Sequence, residues 1–221
     1  MSLTETLWWY LGNILEYFVQ MLPCMGIALL IFLLLRPWRR RRLARLGLSS
    51  GPWREGGLLL FVMFAAGLAA LTLFPAYFWT AGHWRGVLAG EDTVFPKMTD
   101  WWWELQHAQM TPFREIRRGF RGPWVMFMVL ANMGIFVPLG FFVSLLWRKP
   151  RWWKTTLIGL ASSAFIEFTQ LFIARSTDID DVILNTAGAL AGFWVFCLLR
   201  AVFPNFMEKF QCTPRGGYYR G

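Results

Sequence analysis

The sequence predicts an all-α fold, a polytopic membrane helical bundle with about five transmembrane helices. Of its 221 residues, 56% are hydrophobic and only 16% are charged, and the mean hydropathy is +0.41. Because an average soluble domain is about one quarter charged, this chain has too few charges to cover a soluble surface. The same hydrophobicity excludes an intrinsically disordered chain.

Five apolar stretches are long enough to cross a bilayer, which takes about 20 mostly apolar residues per helix. We predict spans at residues 14–35, 58–78, 124–147, 155–174 and 182–203. They divide the chain into a first helix with a basic loop (1–57), a four-helix core (58–203) and a tail (204–221).

The distribution of Lys and Arg predicts the orientation of these spans. The first connection, residues 36–54, contains seven Arg, and the connection at 148–154 contains four Lys or Arg. Short loops rich in Lys and Arg stay in the cytoplasm, so we expect the N-terminus outside and the basic loops and the C-terminal tail inside. The net charge of +9 then reflects topology and contact with membrane lipids. Nucleic acid is excluded as a partner, because no nucleic-acid-binding module surrounds the Arg run at 39–42.

The long connection at about 80–123 is expected to lie outside and to be mostly irregular. The exception is residues 99–110, where a capping residue precedes a helical spacing of Trp and other apolar residues. This segment is either an interfacial helix on the outer leaflet or a loop pinned by its Trp side chains.

Ionisable residues inside a span are costly and usually functional or paired. Glu167 and Gln170 lie three residues apart in the fourth span and therefore share a helix face. A second set of residues begins just before the fifth span and continues into it with a helical spacing of 3, 4, 3 and 4 residues. This stripe consists of Asp178, Asp181, Asn185, Gly188 and Gly192. Glycines on such a stripe let a neighbouring helix approach closely. Asp178 and Asp180 also suit the start of a helix, where backbone N–H groups favour negative charge. With Asn132 of the third span, these residues predict a shallow polar pocket that opens to the outside.

Three segments together resemble one known family. Residues 132–141 read Asn-Met-Gly-Ile-Phe-Val-Pro-Leu-Gly-Phe, which is similar to the family's Asn followed by Phe-x-Pro-x-Gly-Phe. Residues 167–188 match its Glu-x-x-Gln, Arg, Asp-x-x-Asp-x-x-x-Asn-x-x-Gly pattern. Residues 111–116, Thr-Pro-Phe-Arg-Glu-Ile, look like its Pro-Phe segment without the usual Asn-Leu-Ile lead. Over about 58–203 the chain thus resembles the VanZ-like membrane proteins.

The resemblance implies a small multi-helix protein of the bacterial cytoplasmic membrane that works at the cell envelope. The family name comes from resistance to the glycopeptide teicoplanin, a drug that binds cell-wall precursors. The name supplies a context and not a reaction, and it does not imply resistance for every member.

Three functional hypotheses remain open at this stage. The first is a binding protein for a lipid-linked cell-wall precursor, a glycopeptide or another envelope component. The second is a membrane-embedded hydrolase or transferase with Glu167 as general acid or base, with a divalent cation between Asp178 and Asp181 as one option. The third is a purely structural polar network. Candidate catalytic residues are Glu167, Asp181 and Asp178, and candidate ligand-binding residues are Asn132, Gln170, Arg175, Asp180, Asn185 and Arg114. The oligomeric state is left open.

Overall fold

The fold is mainly helical in the part that the computed structural model describes, residues 3–94, 101–173 and 177–214. Five long helices form the bundle: α1 (Leu3–Leu34), α3 (Pro52–Leu73), α7 (Pro123–Leu146), α8 (Trp152–Gln170) and α9 (Ile179–Val202). The only regular β-structure within these ranges is a pair of two-residue strands, β1 (Leu48–Ser49) and β2 (Thr213–Pro214). The predicted all-α helical bundle is confirmed.

Four helices among the described residues are long and apolar enough to span a membrane. They contain Tyr17–Leu34, Pro52–Leu73, Pro123–Leu146 and Ile179–Val202. The predicted fourth span, 155–174, instead forms α8, which is 19 residues long and is not among these four. Its hydropathy is lowered by Lys154, Glu167 and Gln170.

Although α8 is less apolar, it runs back along the bundle between two parallel helices. The contacts between α7 and α9 show that these two helices are parallel. Gly188 of α9 packs on Met133 of α7, and four residues later Gly192 packs on Val137, also four residues later. Because α7 and α9 are parallel, the chain between them must run in the opposite direction along the bundle. At 1.5 Å per residue, the 19 residues of α8 cover about 28 Å of this path.

Two contacts show that α8 is antiparallel to its neighbours. Near its start, Thr155 lies 3.1 Å from the hydroxyl of Ser144 at the end of α7. Further along, Ser163 accepts a hydrogen bond of 2.9 Å from Asn185 near the start of α9. The chain therefore passes along the bundle in all five long helices.

The glycines of the predicted stripe explain why α7 and α9 lie so close. A Cβ atom added to Gly188 would collide with the carbonyl of Met133, and one added to Gly192 would collide with the carbonyl of Val137. On α7, a Cβ at Gly140 would meet the backbone of Ala189. Only glycine allows this backbone approach, as in other membrane helix pairs.

The remaining long helices extend the bundle from α7. Helix α3 packs antiparallel to α7, with Leu68 in one apolar cluster with Phe136, Leu139 and Ile166. Helix α1 packs on α3, where Met21 lies over Gly67.

The expectation of a mostly irregular outer connection was wrong. It contains α4 (Ala81–Ala89), α5 (Trp101–His107) and α6 (Arg114–Gly119), after a 3₁₀ helix at Ala76–Trp79. Helix α4 forms because the Thr80 hydroxyl caps it, and it ends at Gly90 with φ of 76°. Helix α5 lies inside the predicted 99–110 segment, whose capping residues belong to 95–100 and lie outside the described residues.

The two basic connections and the C-terminal segment share one end of the bundle. Helix α2 (Arg36–Arg45) and the 147–151 turn lie there, and α10 (Pro204–Glu208) folds back so that β2 pairs with β1. Phe206 and Phe210 pack on Trp53 with ring centroids 5.4 and 6.1 Å apart. We call this the basic end; helices α4 to α6, the last turn of α8 and the start of α9 lie at the opposite end.

Candidate functional site

Most of the predicted polar residues come together at the end opposite the basic end. Glu167 and Gln170 lie in the last turn of α8, and Asp178 to Asp181 form the start of α9. Asn132 of α7 reaches the same level. Arg175 lies outside the described residues.

Asp180 is fully buried, and its carboxylate binds the backbone of a distant segment. One oxygen accepts a hydrogen bond from the N–H of Phe113, and the other accepts one of 2.6 Å from the N–H of Glu115. These N–H groups belong to the start of α6, where a carboxylate is favoured electrostatically. Phe113 has φ of 62°, a conformation that costs about 1–3 kcal/mol for a residue of this size and persists only when its surroundings enforce it. Asp180 therefore holds residues 111–116 in place.

Gln109 attaches the same segment to the start of α9. Its N–H donates to the carbonyl of Thr177 and its carbonyl accepts from the N–H of Ile179, both at 2.9 Å. Its side-chain amide bonds both the N–H and the carbonyl of Thr111 at 2.9 and 2.7 Å. Residues 109–115 thus form a cover over the α9 N-terminus, which the sequence did not predict.

Glu167 is 5% exposed and holds the chain just before α9. Its Oε2 accepts a hydrogen bond of 2.9 Å from the N–H of Asp178, and its carbonyl accepts one of 3.3 Å from the Thr177 hydroxyl. These contacts tie the end of α8 to the start of α9.

Asp178 caps α9, with its Oδ1 accepting a hydrogen bond of 2.8 Å from the N–H of Asp180. Burial raises the pKa of the Asp178 carboxyl above its ordinary value. The cap hydrogen bond lowers this pKa, the negative charges of Asp180 and Glu115 raise it, and the positive charge of Arg114 lowers it. The net direction is upward, so Asp178 takes up a proton more readily than an ordinary Asp.

Asp181 and Asn132 join α9 to α7. The Asn132 side-chain amide donates to Asp181 Oδ1 at 2.6 Å, and both residues are half-buried. Arg114 is exposed and forms no ion pair with any described residue. We call Asn132, Asp178, Asp181 and Arg114 the mouth, because these four side chains are polar and none of them is fully buried.

Two further amide side chains of the cluster, those of Asn185 and Gln170, are buried. Asn185, one turn below Asp181, donates to Ser163 at 2.9 Å, while its Oδ1 is buried and has no hydrogen-bond partner among the described residues. Gln170 donates from Nε2 to the carbonyl of Thr72 at 3.1 Å and so connects α8 to α3. Both residues are 7% exposed.

The described residues contain no group of three or more His, Cys, Asp or Glu side chains that could hold a metal ion. A divalent cation between Asp178 and Asp181 stays a prediction.

An apolar cavity of about 390 Å³ lies beside this polar cluster, between α3, α7 and α8. Its wall includes Ile166, the neighbour of Glu167, and Thr72, whose carbonyl binds Gln170. Most of the remaining wall is apolar or small: Ala65, Leu68, Ala69, Leu73, Leu139, Ala161, Ser162 and Phe165. The sequence did not indicate this cavity, because we located the site by its polar residues and α3 carries almost no buried polar residue. The small residues of α3 and α8 were the available signal.

Comparison with known proteins identifies the family. The sequence model of the VanZ/LLP1 family matches residues 61–200. That range covers α7, α8, all but the last two residues of α9, the cover and the whole of the cavity wall. No curated protein and no solved structure matches the chain. The match spans more than half of the chain, and we conclude that this membrane protein belongs to the VanZ/LLP1 family.

Proposed function

We propose that the protein binds a lipid-linked component of the cell envelope, with the head group at the mouth and the chain in the apolar cavity. The supporting observation is that charged, partly exposed groups adjoin an apolar cavity. Ile166 lines the cavity, and the next residue, Glu167, contacts Asp178 of the mouth. A pre-formed apolar pocket with a few placed polar groups is the usual form of a binding site.

The charges at the mouth suit a head group that carries both an anion and hydrogen-bond donors. Arg114 presents a planar guanidinium that can bind a phosphate or carboxylate through two hydrogen bonds. Asp178 and Asp181 are carboxylates that accept hydrogen bonds from hydroxyl, amide or ammonium groups. A phosphate-linked sugar or amino-sugar head group satisfies both requirements.

The contacts of Glu167 and Asp180 favour binding over catalysis by these two residues. Each carboxylate already accepts at least one hydrogen bond from the backbone. They therefore act as positioning residues in this proposal, and the mouth is the part that touches the ligand. The enzymatic alternative, with Glu167 as general acid or base, makes a different prediction for Glu167→Gln.

Native mass spectrometry of the protein released from its own membranes tests the proposal. We expect one retained lipid with a phosphate-bearing head group, and about tenfold less of it in Arg114→Gln and Asp181→Asn, since one charge-assisted hydrogen bond is worth roughly 1.5–3 kcal/mol. Arg121→Gln is the matched control, because Arg121 is also exposed and lies nearby, before α7. Equal retention in all four proteins would contradict the proposal.

Incubation with an envelope-lipid extract separates binding from turnover. Binding without product formation by the wild type supports the binding role. A product that disappears in Glu167→Gln, with retention unchanged, would establish the enzyme instead.

A role in glycopeptide resistance is a separate part of the proposal. If the protein shields an envelope component, expression in a susceptible host should raise the inhibitory concentration of teicoplanin, and Arg114→Gln should remove the increase. No change on expression would limit the proposal to lipid binding.

A further inference from the structure

We propose that the basic end contains a second site, which binds one anionic phospholipid through its phosphate and one acyl chain. It lies at the opposite end of the bundle from the mouth and does not depend on the function proposed there. Two adjoining cavities with different chemistry carry the inference.

The first cavity, of about 330 Å³, is bordered by two arginines. Arg148 comes from the α7–α8 turn, and Arg200 comes from the end of α9. Neither forms an ion pair or a side-chain hydrogen bond with any described residue. Guanidinium groups bind phosphate through paired hydrogen bonds, so two free ones at one cavity favour a phosphate.

The rest of this cavity is contributed by the C-terminal segment. Its wall includes Met207, Glu208, Gln211, Cys212 and Thr213. The segment is fixed there because Gln211 donates a hydrogen bond of 2.6 Å to the carbonyl of Leu145, Met207 is 5% exposed, and β2 pairs with β1. The α7–α8 turn, the end of α9 and the C-terminal segment therefore build the cavity together, and the fold brings Arg148 close to Arg200, 52 residues later in the chain.

The side chains that line the second cavity, of about 380 Å³, are apolar or small except for Arg200. Arg200 and Phe196 line both cavities, and Pro150, Phe193, Cys197 and Ala201 complete the second. A cationic cavity that adjoins an apolar one matches a phosphate next to an acyl chain. A free phosphate would leave the apolar cavity empty.

The position along the bundle also suits a lipid head group. Trp147, Trp152 and Trp153 lie at this end and are 51%, 57% and 41% exposed. Tryptophan prefers the membrane interface, where lipid phosphates lie. Basic pockets between membrane helices on the cytoplasmic side are a known way to bind anionic head groups.

The test is native mass spectrometry of the delipidated protein with equimolar phosphatidylglycerol and phosphatidylcholine. We expect one bound phosphatidylglycerol with about tenfold preference, and the loss of that preference in the double variant Arg148→Gln/Arg200→Gln. The control is Arg40→Gln/Arg41→Gln, which removes two exposed charges from α2 at the same end and should leave the preference unchanged. Equal loss in both double variants would overturn the site in favour of diffuse surface attraction.

Two further measurements distinguish a site for a phospholipid from a site for free inorganic phosphate. Ala201→Trp fills the apolar cavity and should remove the bound phosphatidylglycerol, with thermal stability reported alongside. Millimolar inorganic phosphate should not displace the lipid. Retention of the lipid by Ala201→Trp, or complete displacement by inorganic phosphate, would contradict a lipid site.

Discussion

The fully buried carboxylate of Asp180 accepts a hydrogen bond from the backbone N–H of Phe113, 67 residues earlier in the chain. Through this contact the start of α9 fixes the cover in a conformation that Phe113 would not adopt alone. The four acidic residues of α8 and α9 at this end therefore divide into two groups. Asp180 and Glu167 maintain the framework, whereas Asp178 and Asp181 belong to the partly exposed mouth.

Removing the Asp180 carboxylate should release the cover. Asp180→Ala leaves the N–H groups of Phe113 and Glu115 without their acceptor, and we expect a loss of about 2–4 kcal/mol of unfolding free energy. Tryptophan fluorescence during thermal unfolding and limited proteolysis at residues 109–115 measure the effect. Asp178→Asn, which keeps an N-cap acceptor, should not lower stability. An unchanged melting temperature and cleavage pattern in Asp180→Ala would exclude this role.

The Asn132–Asp181 contact should couple α7 to α9 by about 1 kcal/mol, as interhelical hydrogen bonds in membranes do. A double-mutant cycle with Asn132→Ala and Asp181→Ala measures this coupling, because it isolates the pairwise contribution. Additive losses in the double variant would mean that the 2.6 Å contact contributes nothing to stability.

Glycines that allow the close approach of α7 and α9 should not tolerate a methyl group. Gly188→Ala and Gly192→Ala place a Cβ against the α7 backbone, and overpacking of this kind costs typically about 1–3 kcal/mol. Gly134→Ala is the control on α7, because no atom lies within 4 Å of its added Cβ, and it should be neutral or slightly stabilising. Chemical denaturation in detergent compares the three. Similar unfolding free energies for all three would argue against the α7–α9 packing.

The alternation of the five long helices predicts that the two ends of α8 lie on opposite sides of the membrane. In a variant without Cys24, Cys197 and Cys212, a cysteine at His107 should react with an impermeant maleimide in intact cells. A cysteine at Lys149 should react only after the cells are permeabilised, because the basic loops are expected inside. Labelling of both in intact cells would place the two loops on the same side and remove α8 as a crossing helix.

Much of the site was readable from the sequence because helical spacing is regular. The 3, 4, 3, 4 pattern from Asp178 to Gly192 placed Asn185, Gly188 and Gly192 on one buried face, as the structure has them. Glu167 and Gln170 likewise share the buried side of α8. The helical spacing predicts which face of a helix a residue lies on, and the apolar stretches predict which helices carry the polar residues.

The features that the sequence did not predict are long-range. Nothing in the local pattern indicates that Asp180 binds the backbone at Phe113 and Glu115, because the partner lies in a connection without helical periodicity. The apolar cavity was missed because Ala65 and Ala161 look like ordinary small residues of a membrane helix. The predicted fourth span forms α8, which is not among the four most apolar helices because it carries polar residues, and one of these, Ser163, hydrogen-bonds to Asn185 of α9.

Photo-cross-linking in living cells tests the central proposal most directly. A photoreactive phenylalanine analogue at Phe165 lies in the cavity wall, whereas one at Phe168 is equally exposed, at 59% against 61%, but lies outside that wall. We predict an adduct with the mass of a lipid-linked envelope component at Phe165, weak or absent at Phe168, and lost from Phe165 when Asp181→Asn is added. The same ordinary phospholipid adducts at both positions, unchanged by Asp181→Asn, would contradict the proposal.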